Sequence, residues 1–385
     1  MKYLLTTLFC LQFITISYAQ TASEWFNIGN TKFKLGKYEE AILDYNKAIE
    51  LKPDDAMAYN NRGSVKKDLG KYQEAINDYN KAIELKPDYA NAYISRGNAK
   101  KDLGKFEEAI ADYSKAIELK PDYAEVYNNR GNVKKDLGKF EDALNDYDKA
   151  IELKPDYAMA YNNRGNVKSK LGKHEEAISD YNKGIELKPD YTNAYISRGN
   201  AKKDLDKFEE AIADYSKAIE LKPDYAEVYN NRGNVKSNLY QHEEAIIDYN
   251  KAIELKTDYE AAYNNRGNAK KSLKKNEEAI TDYDKAIELK SDYGAAYNNR
   301  GNAKMNLGKY QEAIIDYNKA IELNPNFATT YNSRGKCYFE LENYSQAITD
   351  YDKAIQVGGS GYEPLYKYKD EIVKMANQRN PVKQP

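Results

Sequence analysis

Residues Ala262–Lys290 read AYNNRGNAKKSLKKNEEAITDYDKAIELK, and close variants of this stretch fill almost the whole chain. A longer variant, AYISRGNAKKDLGKFEEAIADYSKAIELKPDYAEVYNNRGNVK, starts at Ala92 and recurs from Ala194 with one change, Gly104 to Asp206. Aligning the conserved-spacing glycines places Gly29, Gly63, Gly97, Gly131, Gly165, Gly199, Gly233, Gly267, Gly301 and Gly335 each 34 residues from the next. Ten repeats then begin at Ala22, Ala56, Ala90, Ala124, Ala158, Thr192, Ala226, Glu260, Gly294 and Ala328. A period of 34 with helical patterning predicts antiparallel helix pairs stacked into a solenoid. Repetition this dense shapes a surface and seldom builds a single catalytic pocket.

Numbered from those starts, position 8 is always Gly, position 20 always Ala and position 24 always Tyr, while position 27 is Ala except at Gly184. Small residues at 8, 20 and 27 let two helices approach closely, and the tyrosine fills the space between them. Leucine at position 14, usually followed by glycine, ends the first helix in a left-handed cap. Proline at position 32 ends the second, because it cannot continue a helix.

An aromatic at position 4 (Trp25, Tyr59, Tyr93) joins these Gly, Ala, Tyr, Ala and Pro positions to give a pattern that resembles the tetratricopeptide repeat family over residues 22–357. The resemblance implies an all-α, right-handed superhelical solenoid whose first helices line a concave groove for partner peptides or proteins. The groove is similar in style to the asparagine-bearing repeat region of O-GlcNAc transferase.

At about 100° per residue, positions 3, 4, 7, 8, 10, 11 and 14 of the first helix share the core side, and positions 2, 5, 6, 9, 12 and 13 point into the groove. Position 9 supplies Asn98, Asn132, Asn166, Asn200, Asn234, Asn268 and Asn302; position 6 supplies Asn61, Asn129, Asn163, Asn231, Asn265 and Asn299. Position 5 adds further asparagines from Asn60 onward, interrupted by Ile94 and Ile196. Lys101, Lys135 and Lys203, with their neighbours at position 12, edge this amide ladder. A carboxamide offers donors and an acceptor that match a peptide backbone, so such a row can hold an extended chain without reading its side chains. The competing reading is that the asparagines only solvate an exposed face, carried along by copying of the repeat.

Arginine at position 7 and lysine at position 11 both fall on the core side, and position 23 is aspartate in every repeat. A bare buried arginine is costly, so arginine and aspartate are expected to pair at the helix seam, for example Arg130 with Asp146 and Arg164 with Asp180.

Lys+Arg 59 against Asp+Glu 61 leaves a net charge of −2, with no basic excess to attract nucleic acid or an anionic membrane. Residues 1–19, MKYLLTTLFCLQFITISYA, have the layout of a cleaved signal peptide, which predicts an exported, periplasmic or secreted chain with no stable membrane insertion afterwards. Cleavage leaves Cys337 as a single cysteine, which excludes an intrachain disulfide. A Gly-rich linker is expected at 358–361, a helix at 362–378 that caps the apolar end of the last repeat, and a disordered tail at 379–385.

His174 and His242 both occupy position 17, two repeats apart, too far for one metal to bridge, and read as packing residues. The sequence contains no GxxxxGK[ST], GxSxG or HExxH pattern, so no enzyme activity, metal or cofactor is expected. The carboxylate clamp of chaperone-binding repeats is absent, because position 5 is Asn or Ile, with Phe26 in the first repeat, where lysine is required, and position 6 is Asn or Ser. The sequence therefore points to a non-enzymatic protein-interaction module binding extended segments, with a scaffold using convex or end surfaces as the alternative. Asp206, Tyr240 and Lys274 replace the capping glycine, and Thr257 and Ser291 replace the proline, so 206–291 is expected to open most easily.

Overall fold

The computed structural model describes residues 20–358 together with Asp370, Ile372 and Lys374. The expected signal peptide, the capping helix apart from those three residues, and the tail lie outside the described residues. Gly358, expected to open the linker, instead closes the last helix.

Among the described residues twenty helices run in pairs. The first pairs are α1 (Ala22–Lys34) and α2 (Tyr38–Leu51), α3 (Ala56–Asp68) and α4 (Tyr72–Leu85), α5 (Ala90–Asp102) and α6 (Phe106–Leu119). Then come α7 (Ala124–Asp136) and α8 (Phe140–Leu153), α9 (Ala158–Lys170) and α10 (His174–Leu187), α11 (Thr192–Asp204) and α12 (Phe208–Leu221). The series ends with α13 (Ala226–Asn238) and α14 (His242–Leu255), α15 (Glu260–Ser272) and α16 (Asn276–Leu289), α17 (Gly294–Asn306) and α18 (Tyr310–Leu323), α19 (Ala328–Glu340) and α20 (Tyr344–Gly358). The chain divides into two compact units, Met1–Val167 and Lys168–Pro385, with the division inside α9. Within each unit, consecutive helices pack against one another along the chain.

Each unit is built on the same core layer. The position-24 tyrosines are buried, with Tyr113 and Tyr147 in the first unit and Tyr215, Tyr249 and Tyr283 in the second at 0–1% exposure. The ring lies against the position-8 glycine of the facing helix: a Cβ on Gly267 would meet Tyr283 Cε1 at 2.7 Å. That is overlap, and it explains why only glycine stands there. Buried alanines at positions 20 and 27, such as Ala245 and Ala252, complete the layer.

The turn between the helices of a pair needs one left-handed residue. Gly36, Gly70, Gly104, Gly138, Gly172 and Gly308 supply it with φ of 72–76°. Asp206, Tyr240, Lys274 and Glu342 adopt the same region with φ of 56–62°. A side chain there costs about 1 kcal/mol relative to glycine. Tyr240→Gly and Lys274→Gly are therefore each expected to stabilise their helix pair by about 1 kcal/mol, seen as slower amide hydrogen exchange in α13–α16. Unchanged or faster exchange would show that the turns are unstrained.

At the far end of the second unit Ile372 is buried in one cluster with Ala347 and Tyr351. Cys337 is a free thiol with no exposed surface, packed with Ala313 and Tyr317, and burial pushes its pKa up to about 12. His174 and His242 each lie 3.3 Å from a position-12 serine, Ser169 and Ser237, through Nδ1.

Candidate functional site

Two polar systems repeat along the first helices, one sealed in the seam between the helices of a pair and one open on the face away from it.

The seam system is ionic. Arg130 donates from Nε and Nη2 to both carboxylate oxygens of Asp146, at 3.0 and 2.7 Å. Arg62, Arg96, Arg198, Arg232, Arg266, Arg300 and Arg334 make the same fork with Asp78, Asp112, Asp214, Asp248, Asp282, Asp316 and Asp350. For Arg164 and Asp180 the repeat predicts the same pair; within their own units Arg164 meets Asp148 at 2.6 Å and Asp180 meets Lys168 at 3.0 Å. The position-11 lysine is a third member: Lys134 reaches Asp146 Oδ2 at 2.8 Å and Lys236 reaches Asp248 Oδ2 at 2.8 Å. The arginine's remaining nitrogen reaches back to position 25 of the preceding repeat, as in Arg232 to Ser216 Oγ at 3.0 Å. Its guanidinium also sits over the position-4 ring, 5.3 Å from the centroid in Arg266 over Tyr263. Burial alone would lower the pKa of Arg300, but the hydrogen bonds it donates to Asp316 and Asp284 outweigh it and hold the group above its ordinary value. With every charge met, this seam is structural.

The open system is the amide row. The buried tyrosine hydroxyl donates to the position-9 carboxamide oxygen in its own repeat: Tyr113 to Asn98 (2.7 Å), Tyr147 to Asn132 (2.8 Å), Tyr215 to Asn200 (2.7 Å), Tyr249 to Asn234 (2.8 Å), Tyr283 to Asn268 (2.8 Å) and Tyr317 to Asn302 (2.9 Å). Each bond fixes which end of the amide faces out. With the oxygen occupied, the NH2 group is presented outward, and among the described residues it has no protein acceptor in these six. Asn166 is half-buried at the equivalent place.

Position 6 behaves differently. Asn163 donates to Asn128 Oδ1 (2.9 Å), Asn265 to Asn230 (3.1 Å), Asn299 to Asn264 (3.0 Å), and Asn61 to Asn30 (2.8 Å). These bonds stitch one first helix to the preceding one. Asn129 and Asn231 follow the repeats in which position 5 is Ile94 and Ile196, and among the described residues their side chains take no such bond.

Position 5 was expected in the groove and is not there. Asn60, Asn128, Asn162, Asn230, Asn264 and Asn298 are 1–7% exposed. The reason is that a first helix has two buried sides, one against its own partner and one against the neighbouring first helix, and position 5 lies on the second. Lys101, Lys135 and Lys203 are 24–39% exposed, each beside the next residue's carboxylate: Asp102 (3.4 Å), Asp136 (3.3 Å) and Asp204 (3.2 Å).

Between α13 and α15 the row opens into a hollow of about 250 Å³ lined by Asn234, Ser237, Asn238, Tyr249, Asn265 and Asn268. Among the described residues no group of His, Cys, Asp or Glu is placed to hold a metal, and no helix is long and apolar enough to cross a membrane.

Comparison with known proteins agrees with this architecture. A TPR repeat model matches residues 29–69, 63–104, 97–138, 131–172, 199–239 and 267–308. Tetratricopeptide repeat models match 158–191, 294–327 and 328–357, and a further one 226–259. Among solved structures, a tetratricopeptide repeat protein from Parabacteroides merdae ATCC 43184 is similar at 22% identity over 64% of this chain and 98% of that one, with a TM-score of 0.52. A chain of the APC/C hetero-tetramer Cut9–Hcn1 is similar at 15% identity, covering 93% of this chain and 90% of that one, also with a TM-score of 0.52. YrrB, a TPR protein with an unusual peptide-binding site, shares 26% identity over 48% of this chain and 95% of that one, with a TM-score of 0.41. No curated protein matches the chain. Proteins of this repeat class are typically non-enzymatic and generally mediate protein–protein interactions. By its repeat matches and its paired helices, the chain belongs to the tetratricopeptide repeat family.

Proposed function

We propose that the chain binds extended polypeptide segments along the exposed face of its first helices. The observation that carries this reading is the tyrosine–asparagine bond, repeated along the row, which turns one NH2 group after another outward. A strand of peptide carbonyls is the complement of a line of donors. Each bond nets about 0.5–1.5 kcal/mol, so several in register are needed to outweigh the ~4–15 kcal/mol of association and ordering. Screening the chain against an unbiased peptide array tests the reading. Captured peptides that share an extended form but no strict side-chain motif support it, and an array without captured peptides contradicts it.

The exposure of Ile247 (66%) and Ile315 (67%), two repeats apart on second helices, favours a second reading, a scaffold that docks folded partners there. Ile247→Lys with Ile315→Lys would then abolish partner capture and leave peptide binding intact. The leader-like residues 1–19 support a place outside the cytoplasm, testable by N-terminal sequencing of the exported protein.

A further inference from the structure

In the first unit each first helix after α1 that follows a complete pair packs on the second helix before it, α3 on α2, α5 on α4 and α7 on α6. Among the described residues α1 has no such neighbour. On α1 lies a hollow of about 410 Å³ lined by Asn27, Ile28, Thr31, Lys32, Leu35 and Lys37. Leu35 is 68% exposed, whereas Leu69 and Leu137 at the same position are half-buried. Position 7 is changed as well. Arg62, Arg96 and Arg130 reach back to the preceding second helix, at Asn46, Asn80 and Ser114, so position 7 faces that neighbour. The first repeat alone has an apolar residue there, Ile28. Lys32 already has its counter-charge in Asp44 at 2.8 Å, which leaves Ile28 and Leu35 as the groups that a cover would shield from water.

The chain holds a segment of the right length in the right register. The second helices α2, α4, α6 and α8 have 14 residues each. Four residues join each to the next first helix, as residues 52–55 join Leu51 to Ala56. Counting back from Ala22 by the same four and 14 residues gives residues 4–17, which contain the whole apolar run LLTTLFCLQFITI. As a helix this stretch is about 21 Å long, against about 20 Å for the 13 residues of α1. A connection of this length suits two antiparallel helices. Positions 20, 24 and 27 of a second helix meet the next first helix, as Ala109, Tyr113 and Ala116 share a cluster with Val126 and Val133. In the counted-back register those positions fall on Thr7, Leu11 and Ile14.

We propose that residues 4–17, while attached, cover the free side of α1 in the place of a preceding repeat's second helix, with Leu11 and Ile14 seated over the hollow. The leader-like segment is then an end cap, and cleavage after residue 19 uncovers the hollow. Glu24 and Thr31 stand where Ala58 and Val65 are fully buried in the next repeat, and such polar residues suit a face that is wetted once its cover has gone. The inference concerns the end of the array and is independent of the groove reading.

The test compares the full chain of 385 residues, made without export machinery so that residues 1–19 stay attached, with the chain that starts at Gln20. Amide hydrogen exchange is followed at several protein concentrations. The expected result is about tenfold slower exchange over α1 in the full chain, the same at every concentration, with α7 and α8 unchanged. Ile28→Asp with Leu35→Asp should remove that protection. Since these changes alter α1 itself, contact is read separately by cross-linking under mild oxidation, in the full chain carrying Cys10→Ser and Leu11→Cys; the buried Cys337 is left as it is. Thr31→Cys should then give an intrachain disulfide, and Leu43→Cys, exposed on α2, should not. Equal exchange over α1 in the two chains overturns the cap. So does slowing that grows with concentration, which reports association between chains, or a disulfide no more frequent at Thr31 than at Leu43.

Discussion

Replacing Asp248 by alanine is expected to destabilise the α13–α14 pair by about 3–5 kcal/mol, because it leaves two cations in the seam without a counter-charge. The Asp248 side chain is 3% exposed and receives Arg232 at 2.7 Å and Lys236 at 2.8 Å, each of those partners being 18% exposed. The loss is larger than an ion pair's net contribution, since removal of one buried partner adds the penalty of the stranded charges. In a repeat array each pair contacts only its neighbours, so the effect belongs to this locality. Hydrogen exchange should rise first in α13 and α14, and the global urea transition should broaden or split. Replacing all three members by apolar residues of similar volume should recover most of the stability. A single Asp248→Ala that leaves exchange in α13–α14 unchanged would show that the seam charges are solvated.

Alkali is expected to unfold the array through its buried tyrosines. Burial pushes Tyr45 and Tyr79 up to about 12, and the other position-24 tyrosines named above move in the same direction, chiefly through burial and then through adjacent carboxylates such as Asp248 and Asp282. A tyrosine in the unfolded chain ionises near 10. Below that pH both states hold the phenolic proton and the full stability is present. Above it the unfolded state loses the proton while the folded state keeps it, so stability falls as pH rises from about 10 through the folded value. Each displaced unit corresponds to about 1.4 kcal/mol, and the same residue recurs in every repeat, so the losses accumulate. Ultraviolet phenolate absorbance should rise steeply and together with loss of helical circular dichroism between about pH 10 and 12. Tyrosine ionisation completed while the helices persist would contradict the buried hydroxyl layer.

Much of this was legible because the same residue returns at the same position in each repeat. The period places the helices, and arginine on an apolar stripe with an aspartate at every position 23 foretells the seam fork between Arg130 and Asp146. The lysine at position 11 carried the same signal, a charge on the core side, and is the third member beside Asp146 and Asp248. Position 5 was misplaced for a physical reason: a helical wheel treats a helix as having one partner, whereas Asn128 is buried because the next first helix, through Asn163, packs on it. The bond that orients the amide row was also within reach of the sequence. Position 9 and position 24 recur as asparagine and tyrosine fifteen residues apart, as in Asn268 and Tyr283, a spacing that crosses the turn between two antiparallel helices. What a linear reading lacks is the level at which two side chains meet across that turn.

On the proposed function, outward-facing carboxamides hold a peptide backbone. It is tested most directly by calorimetric titration of one array-selected peptide into the wild type and into a variant with Asn200, Asn234, Asn268 and Asn302 all changed to alanine, with helicity of the two matched by circular dichroism. The variant is expected to stay folded and to bind about a hundredfold more weakly or worse, since four bonds of about 0.5–1.5 kcal/mol are lost together. A folded variant that binds the peptide as tightly as the wild type would contradict it, and the asparagine row would then be no more than a solvated face.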